Sequence, residues 1–208
     1  MKSVFEFLIK INELKNVTRK GITFYGVKNP PNALDHTYRT AMMVWFLGKE
    51  KRLNVEKAIK MALIHDVCKI YAGDITPYNG LSFKSIKKRY KFFREWPPRA
   101  SSAVKRKKYI EKIKKEKKAL EKLTKKLPDK LKKEVLALWQ DYEKGNSKEA
   151  RFVYQLDRTE NLLEAFECYK KDKKFPTRPW WQHAEEVIDD PVLLKFLEEI
   201  EEEELKTK

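Results

Sequence analysis

Apolar residues recur every three or four positions along most of the chain, which is the spacing typical of amphipathic helices. No stretch alternates apolar and polar residues for long enough to predict a sheet. The pattern predicts helices at about 2–16, 32–51, 54–70, 82–95, 101–127, 129–144 and 147–171. A loop at 173–182, a short helical region and an acidic tail are predicted to follow. The predicted fold class is all-α, in a single domain over residues 1–208.

Capping residues and helix breakers mark where the central helices begin. Asn32 follows Pro30 and Pro31, and it is a typical N-cap for the second helix. The segment before it, from Thr18, contains two glycines and is predicted to be a loop. Asn54 is the predicted cap of the third helix, whose nearly continuous apolar run indicates a buried, central position.

Composition places the chain among folded proteins. Its 208 residues are 41% hydrophobic and 12% aromatic, which suffices for one domain with a core and argues against disorder. The first helix carries charges inside its apolar pattern, so it is not a signal peptide, and no stretch approaches the roughly 18 apolar residues of a membrane span. We expect a cytoplasmic protein without a membrane partner. Cys68 and Cys168 are predicted to be buried thiols rather than a disulfide.

The net charge of +16 comes from one segment of the chain. Residues 84–133 contain 22 Lys and Arg against 5 acidic residues, while the remainder carries 25 basic and 26 acidic residues. The segment has apolar residues at helical spacing, namely Ile110, Ile113, Leu120, Leu123 and Leu127. This pattern predicts a solvated surface helix, and the alternatives are a surface for an anionic polymer or membrane, or a basic rim that attracts anionic substrates. The scarcity of Arg disfavours base-specific recognition of nucleic acid.

Candidate chemistry is concentrated around two of the three histidines. His65 is followed by Asp66 inside an apolar stretch, and Asp157 also borders the apolar face of a helix. Such a carboxylate must be paired, protonated or bound to metal, because an unpaired buried charge is strongly unfavourable. Together with His36, these residues form a set suited to a divalent transition metal, and the alternative is a structural His–Asp hydrogen bond. His183 is predicted to be a surface or packing residue.

Three stretches of the chain resemble one protein superfamily. They read LDHTYRTAMM, KAIKMALIHDVCKIYAGDITP and DYEKGNSKEARFVYQLDRTENLLEAFE. On these motifs the chain is identified as a member of the HD-domain metal-dependent phosphohydrolases, and it resembles their 5'-deoxynucleotidase branch, which releases phosphate from deoxynucleoside monophosphates. The resemblance implies a single all-α HD-domain fold with a metal site between central helices, and it implies a homodimer.

The resemblance also implies roles for individual residues. The implied ligands of a divalent cation (cobalt, manganese, magnesium, nickel or zinc) are His36, His65, Asp66 and Asp157. The candidate substrate-binding residues are Arg19, Lys20, His36, Asp74, Ile75, Thr76 and Pro77. Among them, Arg19 would grip the phosphate of a nucleoside monophosphate. The candidate catalytic residues are Asp66, Lys69 and Asp74, and Asp74 would contact the sugar hydroxyl or assist proton transfer.

The sequence departs from the family pattern in three places. The family usually has Glu three residues after the Asp of the His-Asp pair, whereas this chain has Lys69 there. Three interpretations stay open: Asp74 transfers the proton alone, Lys69 binds the phosphate, or the activity is reduced or redirected. Lys20 stands where some members have an aromatic residue, and segment 84–133 is longer and richer in lysine than expected.

Two functions of different classes are consistent with the sequence. The first is a metal-dependent 5'-nucleotidase acting on (deoxy)nucleoside 5'-monophosphates. The second is a binding protein on an HD scaffold, which would hold nucleic acid or another polyanion through residues 84–133 with weak or no hydrolase activity. Trp180 and Trp181 are predicted to anchor the C-terminal region to the core or to a partner subunit.

Overall fold

The helices were located in a computed structural model, which describes residues 1–49, 51–95 and 102–207, with side chains from 106 onwards in the last range. The helices are α1 (Lys2–Ile11), α2 (Lys20–Thr23), α3 (Ala33–Gly48), α4 (Val55–Ile64), α5 (Lys69–Ala72), α6 (Ile86–Glu95), α7 (Ser102–Thr124), α8 (Asp129–Lys144), α9 (Lys148–Lys171), α10 (Arg178–Val187) and α11 (Pro191–Lys206). The described residues contain no strand, only an isolated bridge between Thr18 and Asn32. The predicted all-α class is confirmed.

The caps predicted for the two central helices are present. The side chain of Asn32 accepts the backbone N–H groups of Leu34 and Asp35, and Asp35 bonds back to the Asn32 N–H in a capping box. The side chain of Asn54 accepts the N–H of Lys57 at 2.9 Å. Because each cap satisfies backbone donors that the first turn leaves free, both helices begin where the sequence indicates.

The structure corrects several of the predicted elements. Helix α10 begins at Arg178, inside the predicted loop at 173–182. The predicted third helix ends at Ile64, and residues 65–68 form a turn before the short helix α5. The predicted loop after Thr18 contains the short helix α2, which buries Ile22. Helix α6 begins at Ile86 rather than at 82. The predicted C-terminal tail belongs to α11, because Leu193 and Leu197 fix one face of this helix in the core.

Helices α3, α4 and α9 form the centre of the fold, and α8, α10 and α11 pack around them. The shared core includes the fully buried side chains of Val44, Met61, Leu156, Leu162 and Leu193. Burial of each such side chain stabilises the fold by about 1.5–3 kcal/mol. Helix α9 also buries the acidic side chains of Asp157, Glu160 and Glu164 among these apolar ones.

The lysine-rich helix α7 packs on α5 and α8 along one apolar face. Leu120 and Leu123 are buried in this contact, Leu127 is buried just after the helix, and Ile113 packs at the edge of the cluster. Ile110, at the same helical spacing, is 46% exposed. The predicted start of this helix at residue 101 lies outside the described residues. Both cysteines are free and buried, as expected.

The C-terminal helices are attached to the core through tryptophans. The side chain of Trp180 packs against Tyr25 and Phe175, with ring centroids 5.0 and 5.1 Å away. The indole N–H of Trp181 donates to the carboxylate of Glu204 at 2.8 Å. These contacts bear out the anchoring of this region to the core. Among the described helices, none combines the length and the apolar character that crossing a membrane requires.

Candidate metal centre and active site

Two histidines from different helices meet at the centre of the molecule. His36 lies in the first half of α3, and His65 follows the last residue of α4. Their Nε2 atoms are 3.2 Å apart, and both side chains are buried. His36 Nδ1 contacts the carboxylate of Glu160, whereas His65 Nδ1 lies 2.7 Å from the main-chain carbonyl of Ala62. Since both Nδ1 atoms have an acceptor, the two Nε2 atoms are left to face a shared ligand.

Two carboxylates approach the same point. Asp157 Oδ1 lies 3.1 Å from His36 Nε2, and Asp66 Oδ1 lies 3.6 Å from His65 Nε2. The ligand atoms of His36, His65 and Asp66 all lie within 4.8 Å of one another. The structure therefore brings together the four residues that the sequence singles out as metal ligands.

The electrostatics of this group fit a divalent cation. Burial and the nearby Arg19 lower the pKa of His36, but the carboxylates of Glu160 and Asp157 outweigh them and raise it to about 9. Burial lowers the pKa of His65. His36 is therefore the more basic of the two imidazoles. Two imidazoles and two carboxylates offer the nitrogen and oxygen donors that divalent transition metals prefer, and metal binding would displace any proton on the facing nitrogens.

A buried glutamate that sequence reasoning missed orients His36. Glu160 lies one turn after Asp157 on α9, and its Oε2 contacts His36 Nδ1. Its other oxygen accepts a hydrogen bond from Arg39 Nε at 2.9 Å and forms an ion pair with Arg39 Nη2 at 2.8 Å. Arg39 also contacts the exposed Glu167 at 2.6 Å. Such a carboxylate on the far nitrogen of a ligating histidine fixes the ring and its tautomer.

The carboxylate of Asp157 is also held by neighbours that sequence reasoning missed. Tyr142 of α8 donates its hydroxyl to Asp157 Oδ2 at 2.6 Å, and Asn161 donates its amide to Asp157 Oδ1 at 3.0 Å. Burial raises the pKa of Tyr142 well above its ordinary value, so the hydroxyl stays a donor. Two donors to one carboxylate restrict its orientation toward His36.

Lys69 connects the metal group to Asp74. Its ammonium lies 2.8 Å from Asp66 Oδ2 and 2.8 Å from Asp74 Oδ1, and all three side chains are buried. Burial opposes the charge of Lys69, but Asp66 and Asp74 outweigh it and raise the pKa of Lys69 above its ordinary value. Asp74 Oδ2 accepts the backbone N–H of Lys20 at 2.8 Å. These two ion pairs therefore hold Lys69 as a cation between Asp66 and Asp74.

Arg19 reaches the same group from the loop before α3. Its backbone N–H donates to the carbonyl of Pro31 at 3.1 Å, which ties this loop to the start of α3. Its side chain is buried, bonds to Asn161, and lies 3.5 Å from Glu164 and 3.8 Å from Asp66. Opposing carboxylates on several sides set the guanidinium in one orientation at the edge of the metal group.

A cavity of about 210 Å³ opens over these residues. Its lining includes Arg19, Asp66, Lys69, Asp157 and the stretch Asp74–Pro77. His36 and His65 lie outside this lining, behind the carboxylates. Lys20 is also absent from this lining. It borders a neighbouring cavity together with Phe24 and Phe93. His183 is exposed on α10, in agreement with a surface position.

The lysine-rich helix α7 supplies one wall of this cavity. Tyr109 and Lys112 both line it, and Lys112 lies 2.9 Å from Glu116 and 3.6 Å from Glu143. Burial raises the pKa of Glu116 to about 7, although Lys112 opposes this shift. The basic segment is thus not wholly peripheral, because one of its lysines faces the site.

The sequence pattern that defines the HD domain family matches residues 11–190 of this chain. The chain belongs to the HD domain family. It is 35% identical over 177 residues to the 5'-deoxynucleotidase HDDC2 of Xenopus laevis, covering 85% of this chain and 74% of the relative. It is 30% identical over 204 residues to the human 5'-deoxynucleotidase HDDC2, covering 97% and 86%. The family resemblance seen in the sequence motifs is confirmed.

Solved structures of the same fold cover nearly the whole HD-domain chain. A protein from Magnetospirillum magnetotacticum described as a predicted metal-dependent phosphohydrolase aligns with a TM-score of 0.65 and 22% identity, covering 99% of this chain and 93% of its own. The PH0347 protein from Pyrococcus horikoshii aligns with a TM-score of 0.65 and 24% identity, covering 98% and 99%. These alignments confirm the fold.

Proposed function

We propose that this HD-domain protein is a divalent-metal-dependent phosphomonoesterase that releases phosphate from (deoxy)nucleoside 5'-monophosphates. The convergence of His36, His65, Asp66 and Asp157 beneath a cavity is the observation that carries the proposal. The relatives over most of the chain support it, since they are 5'-deoxynucleotidases.

The proposed ligands of the metal are the two histidines with Asp66 and Asp157. When bound there, a divalent ion supplies an activated water molecule and neutralises charge on the phosphoryl oxygens. Arg19 is proposed to hold a phosphate oxygen, because its guanidinium is already oriented at the cavity edge. Asp74 lines the cavity beside Lys69 and is proposed to orient the substrate at its sugar.

Asp74 is poorly suited to accept a proton on its own. Burial opposes its charge, but Lys69 and Arg19 outweigh burial and lower the pKa of Asp74 below its ordinary value. A carboxylate with a lowered pKa is a weak base near neutral pH. Of the three interpretations of Lys69, proton transfer by Asp74 alone is therefore the one that these contacts favour least.

The decisive experiment measures phosphate release from a panel of deoxyribo- and ribonucleoside 5'-monophosphates with Mn²⁺, Co²⁺, Mg²⁺, Ni²⁺ and Zn²⁺. We expect hydrolysis by the wild type and none by Asp66→Ala, which removes a proposed ligand. Wild-type protein that hydrolyses no nucleotide with any metal, yet binds RNA or DNA with a steep dependence on salt, would establish the binding-protein alternative instead.

Several sequence predictions stay predictions. They are the extent of the single domain over residues 1–208, the homodimer, the cytoplasmic location and the identity of the metal. Of these four predictions, the phosphate-release experiment tests only the identity of the metal.

A further inference from the structure

The ammonium of Lys69 lies between two buried carboxylates, in a position that a metal ion could take. Two local features bring these three side chains together. Asp66 and Lys69 are three residues apart across the turn after α4. Gly73 has a φ of +71°, which lets the chain turn back toward Lys69. The following residue, Asp74, thereby comes within 2.8 Å of the Lys69 ammonium. A positive φ of this kind is one that glycine adopts without strain.

Asp66 divides its two oxygens between different cations. Its Oδ1 faces His65 Nε2 at 3.6 Å, on the side of the proposed metal. Its Oδ2 lies 2.8 Å from Lys69 and 3.8 Å from Arg19. In hydrolases with two metal ions about 3.5–4 Å apart, the ions act together on the attacking and leaving oxygens. Here Asp66 links the metal group to an ammonium instead.

An ammonium and a second divalent ion cannot share these oxygens. A carboxylate oxygen binds a divalent transition metal at about 2.0–2.2 Å, so such an ion between Asp66 and Asp74 would overlap the Lys69 nitrogen. Repulsion between the two cations in a buried site adds to this exclusion. Displacing Lys69 would also leave its ammonium buried without a partner.

We propose that Lys69 serves as a built-in cation in place of a second metal ion, so that the centre takes one divalent ion per chain. This inference rests on the proposed function, because it presupposes the metal group of His36, His65, Asp66 and Asp157. Its consequence is that one of the positive charges near the substrate comes from the chain and does not depend on metal concentration.

The test counts Mn²⁺ bound to the full chain, by calorimetric titration and by metal analysis after desalting. The wild type should bind close to one Mn²⁺ per chain. Lys69→Glu should bind close to two, because Glu at this position joins Asp66 and Asp74 in an oxygen-rich site. Electron paramagnetic resonance should then show the coupled signal of two neighbouring Mn²⁺ ions. The milder Lys69→Gln should gain a second site at least tenfold weaker than the second site of Lys69→Glu.

A matched control separates this effect from net charge. Lys118→Glu makes the same charge change at an exposed position of α7 and should still bind one Mn²⁺. Two Mn²⁺ in the wild type would overturn the inference and leave the proposed function intact. A second Mn²⁺ in Lys118→Glu would also overturn the inference. So would the absence of a second Mn²⁺ from both folded Lys69 variants. A wild type without bound Mn²⁺ would overturn the proposed function and the inference together.

Discussion

The substitution Glu160→Gln should weaken metal binding, although Glu160 is not a proposed ligand. One carboxylate oxygen of Glu160 contacts His36 Nδ1, and the other accepts a hydrogen bond from Arg39 and forms an ion pair with it. The guanidinium of Arg39 has only donors, so a Gln side chain must keep its carbonyl oxygen toward Arg39. Its NH2 group would then face His36 Nδ1 and require that nitrogen to accept.

This reversal places the His36 proton on the wrong nitrogen. If Nδ1 accepts, Nε2 carries the proton and can no longer bind a metal ion. Loss of such an orienting partner lowers metal affinity by about tenfold to hundredfold. That range corresponds to about 1.4–2.7 kcal/mol. It agrees with the about 1.5–3 kcal/mol that a hydrogen bond to a charged group contributes.

The assay is a calorimetric titration with Mn²⁺ at fixed pH, with circular dichroism as the check on folding. Glu167→Gln is the matched control, because Glu167 also contacts Arg39 but is 47% exposed at its side chain and does not reach His36. It should keep its affinity within about threefold, as expected for an exposed ion pair. Wild-type affinity in Glu160→Gln, or equal losses in both variants, would refute the tautomer argument.

Two further predictions concern the substrate. Arg19→Ala should raise the KM for a nucleoside monophosphate by about tenfold or more, because a charge-assisted phosphate contact contributes about 1.5–3 kcal/mol. An unchanged KM in the folded variant would show that Arg19 does not bind the phosphate. Replacing the exposed Lys114, Lys115 and Lys118 by Gln should leave kcat/KM nearly unchanged at about 0.15 M salt, where screening confines surface charges to about 8 Å. A steep loss of turnover in that triple variant would show that the lysine-rich face participates in catalysis.

The parts of the fold that depend on neighbours in sequence could be predicted. Asn32 and Asn54 cap helices through bonds to residues two or three positions away, so their signal is local. The His65-Asp66 pair is likewise readable, because two polar residues interrupt an apolar run. The same run hides the end of α4 at Ile64, because Val67 and Cys68 in the following turn continue the apolar pattern of the helix.

The residues that hold the proposed ligands come from distant parts of the chain. Arg39 and Glu160 are 121 positions apart in sequence, and only the packing of α3 on α9 brings them together. A signal for Glu160 was nevertheless present, because it lies one turn after Asp157 on the same helix. Lys112 carried no such signal, since the sequence around it offers many equivalent lysines.

The two histidines differ in whether a mutation can remove the group that accepts a hydrogen bond from their Nδ1 atom. His36 relies on a side chain, that of Glu160, whereas His65 relies on the main-chain carbonyl of Ala62. A single codon change can remove the first acceptor, but every amino acid at position 62 still supplies the second. Substitution of Glu160 can therefore change the tautomer of His36, whereas no substitution at position 62 removes the carbonyl that fixes the tautomer of His65. Drift at the two supporting positions should accordingly be unequal, with position 62 free to exchange small apolar residues and position 160 restricted to an acid.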